Sequence, residues 1–169
     1  MLITVGGVPA HPLLVHAVVV LLPLAALGAV LVAVRPSWIR TYGLIVALLA
    51  LAGAVSAWLA AFAGNQLAAA IVTPSFQPVI DQHASFGTLT TYIGSAFAVL
   101  AIVTWVLDRR STAVPVGSHR AGAVATAPTS TATRVLAGVT ALLGIATVAV
   151  TVLAGHSGAS AVWGGVAGG

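Results

Sequence analysis

Four of the five histidines lie where they could bind a metal ion or a cofactor. His11 and His16 stand at the start of the first long apolar segment, His83 opens the third, and His156 follows the fourth. Neutral imidazoles are common ligands of zinc, copper and haem iron. The fifth histidine, His119, lies in a polar stretch of small residues and is assigned no role.

Other reactive side chains are scarce. The chain of 169 residues has no cysteine and only two acidic residues, both aspartates. Disulfides, thiolate metal sites and cysteine nucleophiles are therefore excluded. Ser157 in the segment Gly155–Gly158 superficially resembles a hydrolase motif, but it follows an apolar span and lacks the strand–turn–helix context of such a nucleophile. These residues favour a cofactor-binding or electron-transfer protein over a stand-alone enzyme.

The composition is that of a membrane protein. Apolar residues make up 60% of the chain and charged residues 5%, whereas a soluble domain carries roughly a quarter charged residues. Both a soluble globule and a disordered chain are therefore excluded. The high isoelectric point rests on six arginines, whose placement indicates membrane topology and not nucleic-acid binding.

Four segments are long enough to cross a bilayer, which needs roughly 20 apolar residues. They cover about 12–34, 42–63, 83–107 and 135–154. The first segment lacks the basic start of a signal peptide, so we expect it to be retained. We predict one all-α domain over residues 1–169, an up-down bundle of four transmembrane helices. The Gly64–Gln82 stretch is expected to be an ordered loop, and residues 111–133 a flexible cytoplasmic linker.

The arginines set the orientation of the bundle. They fall in two of the loops only: Arg35 and Arg40 in the first, and Arg109, Arg110, Arg120 and Arg134 in the third. The positive-inside rule places these loops in the cytoplasm and both termini outside. We therefore expect a multi-pass membrane protein with four histidines at the outer end of the bundle.

Two cofactor geometries fit these histidines. In the first, His16 and His83 face each other across the bundle as axial ligands of a b-type haem, and His156 or His11 substitutes or contacts the cofactor. In the second, all four bind one copper or zinc ion. His11 and His16 stand roughly 140° apart around a regular helix, which favours haem. Asp81 would orient His83 as a hydrogen-bond partner of the imidazole.

Three short motifs resemble those of a known bacterial family, domain of unknown function 2231, whose members are small four-helix membrane proteins. They are PAHPLLVH over Pro9–His16, HASFG over His83–Gly87, and GHSG over Gly155–Gly158 with a following Trp163–Gly164. The resemblance covers most of the chain from Val5 to Gly165, outside the linker.

The resemblance carries over the same four histidines. The chain departs from the family pattern at Ala17–Val18, where members often have Phe-Pro, and at Ser157, where a bulkier residue is usual. Some members resemble redox-associated proteins through fusion to, or neighbourhood with, Rieske-type domains. The resemblance therefore implies electron transfer through haem near the outer leaflet, with a quinone or a redox protein as partner. The alternatives are a copper or zinc protein, and a subunit without cofactor that self-associates or docks on a larger complex.

Overall fold

Four long helices make up most of the chain. The computed structural model describes residues 2–71, 73–74, 77–111 and 129–167. The helices are α1 (Ala10–Val34), α2 (Ile39–Ile71), α3 (Gln77–Ser111) and α4 (Thr131–Ala167). Each contains a stretch long and apolar enough to cross a membrane. The predicted four-helix membrane bundle is confirmed.

The helices extend beyond the apolar segments that predicted them. Each predicted span lies within one helix, but α2 continues to Ile71 and α3 already begins at Gln77. The loop expected over Gly64–Gln82 is therefore much shorter, because polar Asn65 and Gln66 end the hydropathy signal without breaking the helix. Of the predicted linker, residues 112–128 lie outside the described part of the chain, and so does His119.

A small β-hairpin precedes α1 and was not predicted. Strand β1 (Thr4–Val5) pairs antiparallel with β2 (Val8–Pro9). Gly6 and Gly7 form the turn with φ of 60° and 83°, the left-handed conformations that a two-residue hairpin of type I′ requires. The backbone N–H of Ile3 donates to Gln66 Oε1 at 3.2 Å. This bond ties the hairpin to the C-terminal part of α2.

The first loop is short because of a proline. Arg35 has an extended φ of −127°, which suits the residue before Pro36. A single turn of 3-10 helix, Pro36–Trp38, then leads directly into α2. At the start of α4, Ser130 Oγ accepts the backbone N–H of Thr133 at 3.1 Å, as an N-terminal cap does.

The bundle is square in section and has a core of small side chains. Helices α1 and α3 each pack along α2 and α4, so α1 and α3 lie across a diagonal. Leu22 and Phe97 are the large fully buried apolar residues at its centre. A Cβ at Gly53 would stand 2.7 Å from the Leu22 side chain. Small residues therefore allow the close helix contact that stabilises bundles in lipid.

The two hairpins α1–α2 and α3–α4 bury corresponding positions, offset by 72 residues between α1 and α3 and by 94 between α2 and α4. In the odd-numbered helices the pairs are Val18 and Thr90, Leu22 and Gly94, Ala25 and Phe97, Ala26 and Ala98, and Ala29 and Ala101. In the even-numbered helices they are Gly43 and Ala137, Val46 and Thr140, Ala50 and Gly144, Gly53 and Thr147, and Ala57 and Thr151. The bundle is thus two copies of one helical hairpin around an axis along the helices. The sequence conceals this repeat because the paired residue types differ.

Candidate functional site

His11 and His83 meet at the end of the bundle that the arginine placement predicts to face outward, which we call the outer end. They open α1 and α3, the two helices that face each other across the diagonal. Their ring centroids lie 5.9 Å apart, with the ring planes at 90°. Both side chains are half-buried. Since the two residues are equivalent in the repeated hairpins, the pair lies on the axis between them.

The two rings are held in the same way. His11 Nδ1 donates to the carbonyl oxygen of Ala60 at 2.8 Å, and His83 Nδ1 donates to that of Ala154 at 3.0 Å. A carbonyl oxygen only accepts, so each neutral ring carries its proton on Nδ1. Nε2 is left with its lone pair, and a backbone carbonyl on the other ring nitrogen is the usual partner of a metal-binding histidine. The chain therefore presents two oriented imidazoles.

A glycine on the neighbouring helix makes room for each ring. A Cβ at Gly64 would stand 2.8 Å from His11 Nδ1, and a Cβ at Gly158 would stand 2.9 Å from His83 Cε1. Each glycine lies one helical turn after the carbonyl that holds the ring. This role was not predicted from the sequence, because the space beside a ring depends on how a neighbouring helix packs.

Substitution of Gly158 by alanine is expected to displace the His83 ring. Alanine normally stabilises a helix by about 0.8–1 kcal/mol over glycine, but here the added methyl collides with the ring and costs its hydrogen bond, about 1 kcal/mol. Gly158→Ala should therefore be about 1–2 kcal/mol less stable than Gly155→Ala, where the added Cβ meets nothing within 4 Å. Unfolding in mixed detergent micelles, followed by circular dichroism, measures the difference. Equal stabilities would contradict the contact.

His16 and His156 lie outside the bundle. His16 is exposed, and its Nδ1 donates to the Pro12 carbonyl of its own helix at 2.6 Å; His156 is exposed on α4. The structure thus pairs His83 with His11, and not with the expected His16. Within the described residues, no group of three or more histidine, cysteine or acidic side chains is placed to hold one metal ion. The physical reason is helix rotation, which directs His11 inward and His16 outward.

Asp81 is also engaged elsewhere. Its Oδ1 accepts a hydrogen bond from Gln77 Nε2 at 2.7 Å on the exposed side of α3. The partner that the sequence suggested for His83 is replaced by the backbone carbonyl of Ala154.

The opposite end of the bundle, near the arginine-bearing loops, holds an ion pair that was not predicted from the sequence. Asp108 on α3 has a side chain only 2% exposed, and its Oδ2 lies 3.7 Å from Nε of Arg40 on α2. The pair connects the two hairpins at the end opposite to the histidines. The sequence signal for this pair is that Asp108 stands at the end of the third predicted span, on the same side as the loop that contains Arg40.

Removal of this carboxylate is expected to destabilise the bundle. Breaking a fully buried ion pair costs about 3–5 kcal/mol, and Asp108→Ala should cost about 2–3 kcal/mol, because Arg40 is 26% exposed and turns toward water. Thermal unfolding in detergent measures the loss. In a double-mutant cycle with Arg40→Ala, the loss in the double variant should be smaller than the sum of the two single losses. Losses that simply add would show that the two residues act independently.

The fold and the histidine pair together define a multi-pass membrane protein with an oriented imidazole pair at one end of a four-helix bundle. Residues 7–168 match the family described as predicted membrane protein (DUF2231), and the chain belongs to that family. The resemblance seen in the sequence is thereby confirmed. No curated protein and no solved structure matches the chain.

Proposed function

We propose that this protein binds a b-type haem at the outer end of its bundle and transfers electrons in the bacterial cytoplasmic membrane. His11 and His83 are the proposed axial ligands. The observation that carries the proposal is their contact across the bundle diagonal, with both Nε2 atoms left free of protons.

The spacing of the two rings suits a shared iron. An imidazole nitrogen binds a metal at about 2.0 Å, so two axial rings on one ion have centroids about 6 Å apart. The centroids of His11 and His83 are 5.9 Å apart. The hydrogen bonds to Ala60 and Ala154 hold the ring orientations and increase the basicity of the ligating nitrogens.

The number of ligands favours haem over a bare ion. A structural zinc site takes four protein ligands and a catalytic one three, but within the described residues only two histidines come together. The porphyrin occupies four positions of the iron itself, so two imidazoles complete the coordination. When bound, haem supplies a one-electron redox couple. The chain's part is to hold the ligands and limit solvent access.

The test is an absorption spectrum of the detergent-purified protein, expressed with haem available. The oxidised and the dithionite-reduced forms are recorded, with elemental analysis of the same sample. We expect a Soret band, bands that sharpen on reduction, and about one iron per chain. If haem bands are missing but copper or zinc is stoichiometric, the cofactor at this pair is a metal ion and not haem. If both haem and metal are missing, the proposal is overturned.

A further inference from the structure

A groove between α1 and α4 opens toward the lipid. It has a volume of about 410 Å³, within the range of small-molecule sites. Its walls are apolar: Pro23, Leu27 and Val30 on α1, and Ile145, Val148 and Ala149 on α4.

Each wall of the groove leads outward to an exposed histidine. Pro23 and Leu27 follow His16 by seven and eleven positions, which places all three on one face of α1. Ala149 and Ile145 precede His156 by seven and eleven positions, on one face of α4. The two histidines absent from the inner pair therefore lie about 10 Å outward of the groove lining, on the helix faces that form its walls.

The two histidines also lie at similar depth. The helices cross where a Cβ at Gly144 would stand 3.2 Å from Ala26 Cα. His16 is ten residues outward from Ala26, about 15 Å, and His156 is twelve outward from Gly144, about 18 Å. The inner histidine pair lies at a similar depth, because Ala154, whose carbonyl oxygen accepts from His83 Nδ1, is only two residues from His156.

His16 offers a hydrogen-bond acceptor at a lipid-facing position. Its Nδ1 donates to the Pro12 carbonyl, so Nε2 of the neutral ring is unprotonated and accepts. A polar atom facing hydrocarbon is costly unless it finds a partner. Acyl chains carry no donor, so the natural occupant has a hydroxyl at one end and an apolar body along the groove.

We propose that this groove binds a membrane quinol. A ring hydroxyl donates to His16 Nε2, His156 provides a polar contact from the opposite wall, and the isoprenoid tail lies against Pro23, Leu27 and Ile145. Binding needs only these residues. The further role of the quinol as electron partner of the inner site rests on the proposed function.

The test is quinol binding to the full chain in nanodiscs of phosphatidylcholine, whose headgroup has no hydrogen-bond donor. The probe is a naphthoquinol with four isoprenoid units, whose tail is long enough to reach from His16 to Leu27, kept reduced under argon. Bound quinol is separated, extracted and quantified by chromatography against empty nanodiscs. We expect saturable binding of about one quinol per chain, weakened about tenfold in His16→Leu through loss of the hydrogen bond.

Two tryptophan variants separate the groove from the rest of the lipid-facing surface. Ala149→Trp fills the groove and should abolish saturable binding. Ala52→Trp is the matched control, an exposed alanine on α2, which lies diagonally opposite α4, and it should bind normally. Equal binding by both, or no saturable binding by the wild-type chain, overturns the proposal.

The same samples distinguish this proposal from that of the haem. The spectrum of each sample records whether haem is bound. Saturable quinol binding without haem bands supports the quinol proposal and counts against haem binding at His11 and His83. Haem bands without saturable quinol binding overturn the quinol proposal and leave the haem proposal intact.

Discussion

Replacement of either His11 or His83 by alanine is expected to lower the haem content of the purified protein at least tenfold. Each substitution removes one of the two proposed protein ligands, so the affinity of the bundle for haem should fall. Haem per chain, from the reduced spectrum of a pyridine extract, measures the effect. His16→Ala and His156→Ala should keep the wild-type content, because both side chains lie outside the bundle.

Folding must be separated from ligation in this comparison. Circular dichroism and size-exclusion profiles should be unchanged in all four variants. As a second readout, added imidazole should restore haem bands to His83→Gly, whose missing ring leaves a space beside Gly158. Loss of haem in His16→Ala with retention in His11→Ala would contradict the observed pair and restore the one expected from the sequence.

The largest loss of stability is expected from Gly144→Leu. A Cβ at this position already stands 3.2 Å from the Ala26 backbone and 3.1 Å from the Phe97 ring. A leucine must push α1 away from α4, and overpacking of this kind costs about 3 kcal/mol. Thermal unfolding in detergent, followed by circular dichroism, should show a clearly lower midpoint than that of the wild-type chain.

Gly155→Leu is the matched control on the same helix. It makes the same chemical change and gains the same helix propensity, but its Cβ meets nothing within 4 Å. We expect unchanged or slightly increased stability. If both leucine variants unfold at one temperature, close contact between α1 and α4 does not limit the stability of the bundle.

Much of the fold could be predicted because hydropathy depends only on composition along the chain. Four apolar stretches long enough for a bilayer require four helices, and the arginines near Arg35 and Arg109 set the expected orientation. The ends of the helices were harder to predict. Asn65 and Gln66 lower the hydropathy while α2 continues to Ile71, so polarity marked the membrane boundary and not the end of the helix.

The candidate site could be predicted only in part, because hydropathy does not determine how a helix is rotated about its axis. His11 and His16 share an apolar segment, and their packing partners decide which one faces inward. The glycine Gly64 and the carbonyl of Ala60 place His11 inside. Asp108 was missed for a related reason, since its role depends on Arg40 of another helix.

The centre of the repeat shows what one chain permits that two identical hairpins do not. Leu22 and Gly94 are equivalent positions, and they meet: a Cβ at Gly94 would stand 3.4 Å from Leu22 Cδ1. Two identical hairpins would bring two leucines into collision there, or leave a hole between two glycines. A single chain that carries both hairpins can instead place a large residue opposite a small one on the axis. The histidines obey the symmetry of that axis, whereas the core beneath them departs from it.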